Sequence, residues 1–142
     1  MPNPVTYAEE TLGVHDVYAE CRTRLQGHDE ARNIYLDAIA QLRDLRAAVT
    51  TREAEITSDE RGEHPEMKIT AFKDHLKVVF EADTVHMAYR DEIAIQEIRR
   101  DQAESEMRHH ELGIRALTAR MHELAGLLAF YGAAKEAKKH GA

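Results

Sequence analysis

YRDEIAIQEIRRDQAESEMRHHELGIRALTARMHELAGLLAFY, Tyr89 to Tyr131, is the stretch that decides the fold. Within it Tyr89, Ile93, Ala103, Met107, Ile114, Leu117, Met121, Leu124, Leu128 and Tyr131 fall on alternating steps of four and three. That spacing keeps one stripe of a long helix turned toward a partner over many turns. The stretch contains no proline, and only Gly113 and Gly126 weaken it, each at a cost of about 1 kcal/mol against alanine. The pattern predicts one helix from about Val85 to Lys138.

The same rhythm appears earlier, in Val14, Tyr18, Cys21, Leu25, Tyr35, Ile39, Leu42, Val49 and Ile56. Counting polar positions, the two stripes have equal length. Reversed against one another they pair Ile56 with Tyr89, Leu42 with Ala103, Leu25 with Met121 and Tyr18 with Leu128. Arg46 then faces Arg100, which calls for a carboxylate such as Glu97 or Glu104, or for another register. Ile34, Ala38, Leu45 and Ala48 flank the first stripe, so its apolar face is wider than one partner helix covers.

Thr6 with Glu9 forms a capping-box pattern that opens the first arm. Gly13 lies inside it, and Gly27 before Asp29 reads either as a stop or as a point the helix passes through. DERGEHPEM, Asp59 to Met67, holds Gly62 and Pro65 and is the clearest break in the chain. Thr70 reads as the cap of a short amphipathic helix, Ala71 to about Glu81, with Phe72, Leu76, Val79 and Phe80 on one face. Asp83 and Thr84 are candidate caps for the last helix. The expected fold is all-α: an elongated antiparallel helical hairpin or coiled coil with a short connecting helix, paired into a dimeric bundle. It forms a single domain over 1–142, with arm one at about 6–59, turn and short helix at about 60–83 and arm two at about 84–138.

The 142 residues carry 19 Lys and Arg against 26 Asp and Glu, a net charge of −7, which repels nucleic-acid phosphates over distances that salt does not screen. Most of the excess lies in the first half. A single cysteine, Cys21, excludes an internal disulfide and a cysteine-based zinc cage; on the apolar stripe it reads as a small buried hydrophobe. The first twenty residues lack the basic start and apolar core of a secretory signal, and nowhere do about 18 apolar residues run together. A soluble, cytoplasmic protein without membrane contact is expected.

Nine histidines raise the question of a metal. The densest group is Glu106, His109 and His110, but adjacent histidines diverge by about 100° around a helix, and there is neither an HExxH nor a paired ExxH motif. There is no GxSxG elbow and no glycine-rich phosphate cradle. No catalytic residue, cofactor or metal ligand is therefore assigned, and the chain is not expected to be an enzyme. Arg99, Arg100, Arg115, Arg120, Lys135, Lys138 and Lys139 offer a local basic strip for nucleic acid, though interleaved glutamates and aspartates at helical spacing account for most of the arginines. Leu117, Met121, Leu124, Leu128 and Tyr131 are the expected oligomer or partner interface, backed by the small residues Ala125, Gly126, Ala129 and Gly132.

Two long charged helices, the HPEMKITAFKDHLK segment (His64 to Lys77) and the ARMHELAGLLAFY ending (Ala119 to Tyr131) resemble the small helical-hairpin, coiled-coil accessory proteins of actinobacterial phages and, more loosely, the phage host-nuclease inhibitor Gam. The resemblance implies a phage-encoded, non-enzymatic accessory in the host cytoplasm, binding a host or phage protein in replication, recombination or counter-defence. Two other readings stand beside it: a nucleic-acid-associated recombination accessory using the basic strip, and a virion assembly or scaffold protein. Homodimerisation is expected in the first reading.

Overall fold

The computed structural model describes residues 13–140. They form three helices and no strand: α1, Val14–Glu63; α2, Ile69–Ala82; and α3, Thr84–His140. The all-α expectation holds. The Thr6 capping box lies outside the described residues. Gly13 does not lie within a helix; it has φ 67 and its carbonyl accepts the first bond of α1 from the Val17 N–H at 3.1 Å. A left-handed φ is open to glycine at little cost, so the residue that weakens a helix interior here precedes the helix. Gly27 leaves α1 unbroken.

α1 also runs past Ser58 to Glu63, and the chain turns between His64 and Lys68. α2 starts at Ile69, one residue before the Thr70 cap the sequence suggested. Lys68 is extended, at φ −64 and ψ 150, and its carbonyl already accepts the Phe72 N–H, which places Thr70 inside the first turn. Phe72, Leu76, Val79 and Phe80 share the less exposed face of α2, as their spacing predicts, while Ile69 and Val78 are exposed.

The chain divides into two compact units, residues 33–104 and residues 1–32 with 105–142. In the first, α1 turns Ala38, Leu42, Leu45, Val49 and Ile56 inward, and α3 turns Tyr89, Ile93, Gln96, Arg100 and Ala103 inward. In the second, Val17, Cys21, Arg24, His28 and Ala31 face Met107, His110, Ile114, Leu117, Met121, Leu124 and Leu128. Every inward position expected for α3 is therefore buried or half-buried. On α1 seven of the twelve with described side chains are. Leu42, Val49 and Ile56 turn inward as expected, but Tyr18, Leu25, Arg32, Ile39 and Arg46 are exposed and their preceding neighbours Val17, Arg24, Ala31, Ala38 and Leu45 take the inner place.

This phase has a physical reason. It keeps the guanidinium groups of Arg32 and Arg46 in water, where a charge costs least, and puts alanines at the contact. Ala31, Ala38 and Ala103 are almost wholly buried, and small side chains let helix axes approach closely. Arg46 does not meet Arg100; its Nη2 donates to Glu97 Oε1 at 3.2 Å. Arg24 packs on Gly113 and Gly27 receives His110, so α3 sits roughly one heptad away from the pairing of Leu25 with Met121.

Candidate functional site

Within unit 33–104, polar side chains concentrate where α2 meets α1 and α3. Asp83 is the one residue between α2 and α3. Its N–H donates to the carbonyls of Val79 and Phe80, closing α2, and its Oδ2 accepts the His86 N–H at 2.8 Å, capping α3. A carboxylate at that place satisfies an orphan donor and meets the positive end of the helix dipole. Arg52 of α1 grips it with two parallel bonds, Nε to Oδ2 at 3.0 Å and Nη2 to Oδ1 at 2.8 Å. The Arg52 hydrogen bond first, then the His86 N–H, hold the Asp83 carboxyl down at about 2 against an ordinary 3.8. The Arg52 guanidinium is raised in turn, first by its bond to Asp83.

One turn further, the nearly buried His86 stacks on Phe80 with ring centroids 5.5 Å apart. Its Nε2 donates to Glu53 Oε1 at 2.8 Å, and its Nδ1 is buried without a partner. Two turns along α1 from Glu53, Glu60 faces two more imidazoles. His75 Nε2 lies 2.6 Å, and His64 Nε2 3.6 Å, from the same oxygen, Glu60 Oε2. The rings of His64 and His75 meet edge to face with centroids 4.9 Å apart. Arg61 braces this end from the side: Nη1 donates to the Met67 carbonyl at 2.9 Å, and the guanidinium carbon lies 4.7 Å from the Phe72 ring centre. All three groups of Glu60, His64 and His75 are partly exposed.

Among the described residues this is the group of three histidine or acidic side chains whose ligand atoms converge, all within 4.8 Å of one another. It is not the group densest in sequence, Glu106, His109 and His110. Glu106 and His109 are exposed, and the His109 and His110 rings stand 5.8 Å apart and tilted. The sequence does hold a signal for the missed group: Glu60 and His64 are four apart, and His75 lies on the one face of α2 that turns toward α1. Choosing between the groups requires knowing where α2 docks.

The expected interface residues pack inside their own unit. Leu124 is 3% exposed, and Leu117, Met121, Leu128 and Tyr131 are half-buried. Val17 and Tyr18 of α1 with Met121, Leu124, Ala125 and Leu128 of α3 line a shallow apolar groove of about 100 Å³. On the outward side of α3, Leu112, Leu127 and Phe130 are exposed. In the same unit His28 Nε2 meets Glu111 Oε1 at 3.2 Å.

Three of the seven residues of the basic strip, Arg99, Arg100 and Arg120, are matched by acids. Arg99 donates to Asp37 at 2.6 Å and to Gln96 at 3.3 Å, Arg100 to Asp101 at 3.0 Å, and Arg120 pairs with Glu123 at 3.0 Å. The bond to Asp101 raises the Arg100 guanidinium. Arg115, Lys135 and Lys138 are exposed, and the Lys139 side chain lies outside the described residues. None of the helices, over the described residues, is long and apolar enough to cross a membrane. Set against known proteins, the chain matches no family model, no curated sequence and no solved structure.

Proposed function

We propose that the chain is a non-enzymatic interaction protein that works as a homodimer: an antiparallel helical hairpin of coiled-coil character whose exposed apolar side chains meet a second copy. The observation that supports this reading is an imbalance of burial. Among the described residues six hydrophobic side chains are buried, three of them alanines, while fourteen large hydrophobics are exposed. Single exposed leucines are ordinary, but so many against so small a core are not.

In this reading the dimer is a cytoplasmic accessory. The resemblance to actinobacterial phage proteins supports a host or phage protein as its further partner, in replication, recombination or counter-defence. The ion pairs of Arg99, Arg100 and Arg120 speak against the use of these three in the nucleic-acid alternative, because a guanidinium already bonded to a carboxylate gains little from a phosphate.

Light scattering on the purified full chain tests the proposal. The expected mass is twice 16.2 kDa, falling to that of one chain when Leu127 and Phe130 are both replaced by Glu. A single-chain mass for the parent at high micromolar concentration overturns the dimer. Salt-dependent binding to DNA that is lost on neutralising Lys135 and Lys138 would replace this reading with the nucleic-acid one.

A further inference from the structure

We infer that Glu60, His64 and His75 form a binding site for a divalent transition-metal ion of the zinc type, held by two imidazoles and one carboxylate with water completing the coordination. The three groups come from three consecutive pieces of chain: the last turn of α1, the first residue after it, and the middle of α2. Both histidines bring Nε2 to one oxygen, Glu60 Oε2, at 2.6 and 3.6 Å. A tetrahedral ion with bonds of about 2.0–2.1 Å separates its ligand atoms by about 3.4 Å. The Glu60 and His64 atoms already stand close to that spacing. Glu60 and His75 must part by less than about 1 Å, which replaces a hydrogen bond with two bonds to the ion.

The setting favours such an ion. The backbone is fixed before any metal arrives, since the His64 N–H donates to the Glu60 carbonyl at 2.9 Å and Arg61 ties the turn at Met67. The rings themselves are 41% and 29% exposed for His64 and His75, so each can rotate by the small amount required. Asp59, Glu63 and Glu66 surround the site in sequence and raise the local concentration of cations. A concave surface lined by Glu63, His64, Pro65, Glu66 and Met67 leaves room for water. Two imidazoles select against calcium and magnesium, which take oxygen ligands, and in favour of zinc and its first-row neighbours.

The bound ion clamps the end of α1 to α2. This goes beyond the interaction proposed above and is read separately from it: association is measured as mass, the metal as binding. The full chain, stripped with chelator and dialysed, is titrated with zinc chloride by calorimetry and with cobalt chloride by visible absorption. One equivalent of zinc binds, and cobalt gives the intense visible bands of a four- or five-coordinate ion. His75→Ala and His64→Ala each weaken zinc binding by more than about a hundredfold, since even partners one shell further out cost ten- to a hundredfold. Replacing His109 and His110 together by Ala leaves it unchanged. Absence of zinc binding at micromolar concentration, full binding in His64→Ala, or loss in the His109/His110 variant overturns the site. His64 lies outside the helices, so this variant remains decisive should His75→Ala lose helicity by circular dichroism.

Discussion

Replacing Gly27 with Ala is expected to change sign depending on whether His110 is present. A Cβ built on Gly27 lies 2.6 Å from both Cε1 and Nε2 of His110, closer than carbon and nitrogen can approach, so the imidazole must move. Alanine in place of glycine inside a helix contributes about 1 kcal/mol of stability. Forcing extra volume into a packed contact costs typically about 1–3 kcal/mol. In the parent chain Gly27→Ala is therefore neutral to about 2 kcal/mol destabilising. In a His110→Ala background the obstruction is gone and the same change stabilises by about 1 kcal/mol. The difference, a coupling of about 1–3 kcal/mol, lies well above the scatter of independent sites.

Urea unfolding followed by helical circular dichroism, with all four proteins at one concentration, measures the coupling; a fixed concentration is required because association shifts the midpoint. In heat, each 1 kcal/mol moves the midpoint by about 2–4 °C for a chain of this length. Gly126→Ala serves as the control, because nothing lies within 4 Å of its Cβ, and it is expected to stabilise by about 1 kcal/mol in both backgrounds. Equal effects of Gly27→Ala with and without His110, within about 0.5 kcal/mol, would refute the close approach of α1 and α3 at this level.

Asp83 gives the chain an acid-sensitive element. Its carboxyl is held at about 2 in the folded chain against 3.8 ordinarily, so over that window the unfolded chain binds more protons. The contribution is complete above about 4 and is lost as pH falls toward 2. Asp83→Asn, which keeps the cap but not the charge, is expected to flatten the stability profile between those values; parallel profiles for the two proteins by urea unfolding would contradict it. Leu124→Ala is expected to cost about 2–5 kcal/mol by emptying a buried place, whereas Phe130→Ala changes unfolding of the separated chain by less than about 0.5 kcal/mol, both read by chemical denaturation. Equal losses would place Phe130 in the core.

The fold class and the inward face of α3 were legible because large residues occupy most of its inner positions, so size and periodicity agree. On α1 they disagree. Tyr18, Leu25 and Ile39 form a periodic apolar row one place beside the true inner one, which holds Val17, Arg24, Ala31 and Ala38. Ranking positions by hydrophobicity selects the first row; close approach and the solvation of Arg32 and Arg46 select the second. Asp83 was readable as a cap from its place before an apolar-periodic run, but its grip by Arg52 depends on how α1 lies against the α2–α3 junction. Of the histidine cluster only the four-residue spacing of Glu60 and His64 was legible, for the same reason. Its members are eleven and four residues apart, spacings that many scattered histidines share, and only the docking of α2 brings them together.

The glycines of the second unit show what sets register when the apolar pattern alone does not. A seven-residue slip leaves a heptad stripe nearly unchanged in hydrophobicity, so it discriminates weakly between pairings one heptad apart. Gly27 and His110, and Gly113 and Arg24, remove that degeneracy. Each helix carries a long polar side chain three residues from a glycine, and each chain lies over the other helix's glycine: the Cβ of Gly113 would stand 2.9 Å from Arg24 Nε. In a slipped pairing both long side chains meet residues with a Cβ and both glycines lose their occupants. The interlock works through exclusion, and exclusion is invisible to any score that counts only favourable apolar contacts. It also explains why a chain with so many large hydrophobics buries so few of them. The contact is built around small residues and polar knobs, and the apolar row on the edge of α1, with Tyr18, Leu25 and Ile39, stays exposed.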